Sequence, residues 1–251
     1  MKPKILVTRE VFDETLAYLA QHCEVEANQQ DVAFSPEALA QRLAGKDGVM
    51  CCLTDRIDAG LLAACPQLKA AANIAVGYNN IELAACTARG VMATNTPGVL
   101  DDSTADLAWA LMLATARRLT EVESYIRAGE WTGWRLKQWL GVDVHHATLG
   151  IIGMGRIGQV IAKRATGFDM KVIYSNRKRV SPDIEQRLNA TYVSKDELLK
   201  QADFVVLQVP YSDPLVVVEP SESKRKTMHG EGDYSRLLTK LYEDIVKYDE
   251  I

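Results

Sequence analysis

The stretch "TLGIIGMGRIGQVIAKRATGF", residues 148–168, restricts the fold of this chain more than any other. An apolar run of strand composition ends in Gly153, Gly155 and Gly158 at G-x-G-x-x-G spacing, and a helical pattern starts inside the motif. A strand that enters a helix through so tight a turn is the opening βα unit of a doubly wound nucleotide-binding fold. In that setting Gly153 permits the turn, Gly155 lets the backbone approach a pyrophosphate, and Gly158 permits close packing of helix on strand. The amides of Arg156 and Ile157 then face the phosphates at the positive end of the helix dipole.

The same alternation fills most of the chain. From Thr148, the strand-like runs "TLGIIG", "KVIYSN", "TYV" and "DFVVLQVP" alternate with the helical patterns "RIGQVIAKRATGF", "SPDIEQRLN" and "KDELLKQA". Upstream, "KILVT", "GVMCCL", "LKAAANI" and "VMATN" alternate with "FDETLAYLAQH", "AGLLAAC" and "IELAACTARG". Uninterrupted apolar strands between amphipathic helices imply parallel sheets covered on both faces. The expected fold class is therefore α/β, with two Rossmann- or flavodoxin-like parallel-sheet domains at residues 1–97 and 98–212. The second is expected to be incomplete at its C-terminal end, because the strand at 203–209 has no further strands after it to pair with. Between the two series, "DDSTADLAWALMLATARRL" reads as a capped helix, so apolar that burial is expected.

Two segments stand apart. Residues 121–146 form an irregular connector holding Trp131, Trp134 and Trp139, which suits either core filling under a loop or a contact with a second subunit. Residues 213–251 contain no alanine, whereas residues 1–212 contain 29. This tail opens with "LVVV" at 215–218, which could cover the open strand edge, and continues through the polar, breaker-rich "EPSESKRKTMHGEGD". It ends with Leu237, Leu238, Leu241, Ile245 and Tyr248 on one helical stripe, an amphipathic helix expected to pack on its own chain.

With 29 basic and 33 acidic residues, the net charge of -4 implies neither nucleic acid nor an anionic membrane as partner. No apolar run reaches membrane-spanning length, and "MKPKILVTRE" lacks an apolar signal core, so a cytoplasmic protein is expected. The five cysteines show no C-x-x-C spacing and read as reduced core residues. His145 and His146 are adjacent and point opposite ways, which argues against a joint metal site.

The strand after the glycine motif ends in "VIYSNRKR", residues 172–179, with cations where an NAD site carries an acid. Asn176 can bond the ribose, while Arg177, Lys178 and Arg179 offer charge-assisted contacts to a 2'-phosphate. The expected cofactor is NADPH/NADP in preference to NADH.

The motifs "CLTDRID", "NIAVGYNNI", "NTPGVLDDSTADLAWALML", "EWTGWRLKQWLG", "TLGIIGMGRIGQVIA" and "VIYSNRKR" stand in an order that resembles the D-isomer-specific 2-hydroxyacid dehydrogenases. The likeness is strongest to the NADP-using glyoxylate, hydroxypyruvate and 2-ketogluconate reductases and covers residues 1 to about 212. It implies hydride transfer between nicotinamide C4 and C2 of a small 2-oxo acid, whose carboxylate the amides of Ala75, Val76 and Gly77 would hold, with Leu53 bordering the cleft. Further implications are Thr104 near the nicotinamide, Val209 and Pro210 flanking the cofactor, a homodimer through the 121–146 arm, and Trp139 reaching the partner's site. The family's catalytic arginine in N-x-A-R-G, its glutamate and its histidine follow this region, and no such motif occurs after Val209. The chain as it stands is thus expected to be inactive, with a non-catalytic dinucleotide-binding or protein-interaction module as the alternative.

Overall fold

A computed structural model describes residues 1–209 and divides the chain into two compact units, Met1–Asp101 and a second beginning at Asp102. Pro210, the "LVVV" run and the amphipathic stripe at 237–248 lie outside the described residues.

The first unit holds five parallel strands, β1 (Lys4–Val7), β2 (Glu24–Ala27), β3 (Gly48–Cys51), β4 (Ala70–Asn73) and β5 (Met92–Thr94), in the order β2-β1-β3-β4-β5. Four helices connect them: α1 (Asp13–His22), α2 (Pro36–Leu43), α3 (Ala59–Ala64) and α4 (Leu83–Arg89). Local chemistry sets the helix limits. Ser35 accepts the Ala38 amide ahead of Pro36, Asp58 accepts the Leu61 amide, and α4 stops at Gly90 in the left-handed conformation. The core gathers Leu6, Leu43, Val49, Ile57 and Leu62 around the central strands. Strand β2 and helix α2 have no counterpart in the apolar pattern. The reason is physical: β2 is an edge strand reading Glu-Val-Glu-Ala with no fully buried residue, so it carries no continuous apolar run.

A buried polar pair ties β1 to the loop after β3. Asp55 and Thr8 are both buried, and the Thr8 hydroxyl donates to Asp55 Oδ2 at 2.5 Å while the Cys52 amide donates to the same oxygen at 2.8 Å. Burial, with Asp55 nearby, pushes the neighbouring Cys51 thiol up to about 12.

The chain enters the second unit through α5 (Asp101–Ala116) and α6 (Leu119–Arg127). Four parallel strands follow, β6 (Thr148–Ile152), β7 (Lys171–Ser175), β8 (Ala190–Tyr192) and β9 (Phe204–Leu207), in the order β8-β7-β6-β9. They alternate with α7 (Arg156–Ala165), α8 (Pro182–Leu188) and α9 (Lys195–Gln201). The order reverses beside β6, which opens a crevice at the carboxyl ends of β6 and β9. Among the described residues β9 pairs only with β6.

Helix α5 departs from the burial expected of it. Ala105, Trp109 and Ala116 are buried, but Leu107 and Leu111 are 59% and 60% exposed. From residue 107 to 114 the helix is apolar around its whole circumference, while only one face meets the core. On that face Trp109 stacks on Phe168 at 4.6 Å and donates Nε1–H to the Ile161 carbonyl at 3.2 Å. Arg164 of α7 binds α5 from outside, reaching Asp106 at 2.7 Å and Asp102 at 3.1 Å. Among the described residues no helix is long and apolar enough to cross a membrane, and no group of acidic, His and Cys side chains could hold a metal.

Trp109→Ala removes the stack and the indole hydrogen bond together, and should cost about 3–5 kcal/mol, read as a lower urea midpoint. Thr8→Val leaves Asp55 buried with one donor fewer and should cost about 1–3 kcal/mol by the same measurement.

Candidate functional site

The crevice beside β6 is built from backbone packed too closely for side chains. Gly153 has φ +106°, and a Cβ there would fall 2.1 Å from the Gln208 carbonyl oxygen and 3.0 Å from Val209 Cγ1. A Cβ on Gly158 would fall 2.2 Å from the Gly153 carbonyl oxygen. Gly155 differs: a Cβ there would meet no protein atom within 4 Å, so the space beside it is open to a ligand. It caps α7, whose first-turn amides, Arg156 and Ile157 included, have no acceptor inside the helix. A diphosphate fits these three conditions. Glycine clears its approach, free amides point outward, and the helix dipole favours its charge. Thr104 lies partly buried in the first turn of α5, next to Ala105, which shares a core cluster with Met154.

Asn176 and the three cations are not equivalent in the structure. The Met154 amide donates to Asn176 Oδ1 at 2.7 Å, which commits that oxygen and leaves the Asn176 amide group to face a ligand. Arg177 and Lys178 are exposed and make no ion pair with any described residue. Arg179 instead grips Glu185 of α8 through Nε and Nη2, both at 2.7 Å, and its guanidinium lies 5.9 Å from the Tyr192 ring centre. The buried Tyr174 hydroxyl donates to the same carboxylate at 2.6 Å. Arg179, followed by Tyr174, holds the Glu185 carboxyl down to about 2, while burial and Glu185 push the Tyr174 hydroxyl up to about 12. Sequence reasoning assigns no role to Tyr174, although it lies inside "VIYSNRKR", nor to Glu185, whose only signal is a carboxylate one turn into the helix after a basic loop.

In the first unit, the loop after β4 presents a row of free donors. The carbonyls of this loop are drawn to protein donors: Ala75 to the Thr96 amide at 2.9 Å, Val76 to Asn95 Nδ2 at 2.9 Å, and Gly77 to Asn73 Nδ2 at 2.8 Å. The amides of Ala75, Val76 and Gly77 find no acceptor among the described residues. Successive amides with their carbonyls turned away form an anion-binding nest. Asn73 and Asn80 hold the loop in place by pairing with each other at 3.1 Å in both directions. Asn80 also donates to the Cys52 and Asp55 carbonyls at 3.0 Å, stitching this loop to the one that carries Leu53. Leu53 Cδ2 would lie 3.8 Å from a Cβ on Gly77. Sequence reasoning misses Asn73, Asn80 and Asn95, because amides in a polar loop look like solvated turn residues.

The tryptophans of the connector divide. Trp131 and Trp134 are exposed, the latter at 80%, which rules out core filling for both. Trp139 is partly buried at φ +58°, 5.1 Å from the Tyr125 ring and 5.0 Å from the Arg118 guanidinium. Its Nε1 is buried without a hydrogen-bond partner among the described residues.

Residues 109–214 match the family of the D-isomer specific 2-hydroxyacid dehydrogenase NAD binding domain, and residues 186–251 match a different family, the phosphonate metabolism protein PhnJ. A glyoxylate reductase from Thermococcus onnurineus is 47% identical over 214 residues, which cover 84% of this chain and 64% of that protein. The chain thus spans less than two thirds of the length of the curated relatives it matches. A chain described as a D-isomer specific 2-hydroxyacid dehydrogenase from Polaromonas sp. JS6 66 superposes with a TM-score of 0.78 at 34% identity, covering 85% of this chain and 67% of that one. The TT0316 protein of Thermus thermophilus gives 0.76 at 40% identity, covering 84% and 66%. On fold, motifs and relatives alike, the chain belongs to the D-isomer specific 2-hydroxyacid dehydrogenase family.

Proposed function

We propose that this chain carries the cofactor and carboxylate sites of an NADPH-dependent reductase that converts a small 2-oxo acid, of the glyoxylate, hydroxypyruvate or 2-ketogluconate class, to its D-2-hydroxy acid. Residues 1–97 act as the substrate domain and 98–212 as the cofactor domain. The observation that carries this reading is the pairing of an open glycine turn at Gly155 with two unpaired cations, Arg177 and Lys178, at the end of the next strand. When bound, NADPH supplies the hydride for C2 of the substrate.

The chain's own residues have defined tasks. Gly153, Gly155 and Gly158 with the Arg156 and Ile157 amides take the diphosphate, and Thr104, Val209 and Pro210 border the nicotinamide end. The Asn176 amide group meets the ribose, and the basic loop meets the 2'-phosphate. The amides of Ala75, Val76 and Gly77 take the substrate carboxylate beside Leu53. The exposed tryptophan arm at 121–146 joins two copies, bringing Trp139 toward the partner's site, in a cytoplasmic homodimer.

Reduction of a ketone also needs a proton donor and a cation on the carbonyl oxygen. A second reading, a non-catalytic dinucleotide-binding module, is favoured by the match of residues 186–251 to a different family. One assay separates the two. If this sequence lacks the acid, NADPH oxidation with glyoxylate or hydroxypyruvate should run about 10²- to 10⁴-fold below a family enzyme that has it. Turnover at the full rate would remove the second reading.

Cofactor choice is tested by fluorescence titration of the 251-residue chain. NADPH should bind more tightly than NADH, and equal or tighter NADH binding would refute the reading. Arg177→Ala should raise the NADPH Kd about 10-fold or more, as loss of a charge-assisted contact predicts, and leave the NADH Kd within about two-fold.

A further inference from the structure

The loop between β7 and α8 is tethered at both ends. At its start, Asn176 Oδ1 accepts from the Met154 amide at 2.7 Å and the Asn176 carbonyl accepts from the Tyr192 hydroxyl at 3.3 Å. At its end, the Val180 amide donates to the Tyr174 hydroxyl at 3.1 Å, and Arg179 forks onto Glu185 with two bonds of 2.7 Å. Tyr174 is fully buried and meets Tyr192 edge-on at 5.4 Å, so both anchors rest on packed rings. Arg177 and Lys178 stand between these tethers with no ion pair or hydrogen bond to any described residue.

We propose that Glu185 is a specificity-determining positioning residue: by holding Arg179 as a strut of the loop, it leaves Arg177 and Lys178 as the groups that meet the 2'-phosphate of the cofactor. The proposal rests on the NADPH reading above and refines it, since Arg179 becomes a support rather than a ligand. A single exposed ion pair would carry little weight. This one is different, because the Glu185 side chain is 12% exposed and its carboxylate also accepts from a buried tyrosine. Arg179 and Tyr174 hold the carboxyl down to about 2, so the strut stays charged near neutral pH. A loop ordered in advance spares the cofactor the entropy of ordering long basic side chains and their backbone on binding. The pair is neutral as a unit, so Glu185 does not present an uncompensated acid to the phosphate.

The alternative is that Arg179 is itself a phosphate ligand that Glu185 merely restrains. The two differ in sign. NADPH and NADH dissociation constants are measured on the full chain by fluorescence titration for wild type, Glu185→Gln, Arg179→Met and the double variant, each first shown folded by circular dichroism. As a strut, Glu185→Gln should raise the NADPH Kd about 3- to 10-fold, the cost of one or two side chains newly ordered on binding, and leave the NADH Kd within about two-fold. The double variant should then be no worse than either single one. Arg179→Lys keeps the charge but loses the planar fork, so it should fail to rescue. It also carries the test if Glu185→Gln does not fold.

The proposal is overturned if Glu185→Gln binds NADPH as well as or better than wild type, if Arg179→Met weakens binding further in the Glu185→Gln background, or if both nucleotides weaken alike. A wild-type chain with no preference for NADPH would instead sink the cofactor reading itself, and a wild-type preference left undiminished by Glu185→Gln would sink the strut alone.

Discussion

The close approach of backbone to backbone around Gly153 is the constraint on which the second unit depends. Its Cα sits where a side chain would strike the Gln208 carbonyl, and its own carbonyl fills the place that a side chain on Gly158 would need. The end of β6 and the start of α7, neighbours in sequence, are thereby packed against the end of β9, much later in the chain. The Gly153 amide donates to the Ser175 carbonyl at 3.1 Å, which adds the end of β7. No other residue type allows this geometry, since φ +106° is strained for any L side chain. The open space beside Gly155 follows from the same turn, and it is there that a ligand's diphosphate can replace water against free amides.

The two candidate sites solve one problem in different ways. Both are proposed to hold an anion at the carboxyl end of a parallel sheet. In the second unit the charge is met by a helix terminus and two exposed cations, Arg177 and Lys178. In the first unit it is met by backbone alone, with Asn73 and Asn95 donating to the Gly77 and Val76 carbonyl oxygens while the amides of the loop stay free of acceptors among the described residues. The difference matches the ligands proposed for them: a diffuse, multiply charged phosphate group for the first arrangement, a single planar carboxylate for the second.

How much is legible in the sequence follows from what each contact requires of a residue type. Gly153, Gly155 and Gly158 can be read directly, because no substitute fits and their spacing is set by one turn. Parallel strands such as β1, β3 and β6 are legible because burial on both faces leaves a continuous apolar run. Strand β2 is not legible, because an edge strand with one wet face reads as a polar loop. The composition of α5 suggests full burial because it says nothing about which face is covered, and Leu107 and Leu111 lie on the open one. The basic loop is visible as charge, yet its division into ligand and strut is not: the carboxylate that separates Arg179 from Arg177 sits in the next helix, and only folding brings it near. The same holds for Asn73, Asn80 and Asn95, which bond backbone carbonyls and, for Asn73 and Asn80, each other, partners with no sequence signature.

A receptor assembled from main-chain hydrogens, as at Ala75 to Gly77, is indifferent to which side chains its own residues bear. The partly buried Val76 side chain can be exchanged while the proposed grip on a carboxylate persists, and nothing in that grip titrates. Under the proposed function, substrate range can therefore drift without any intermediate that has lost its hold on the carboxylate.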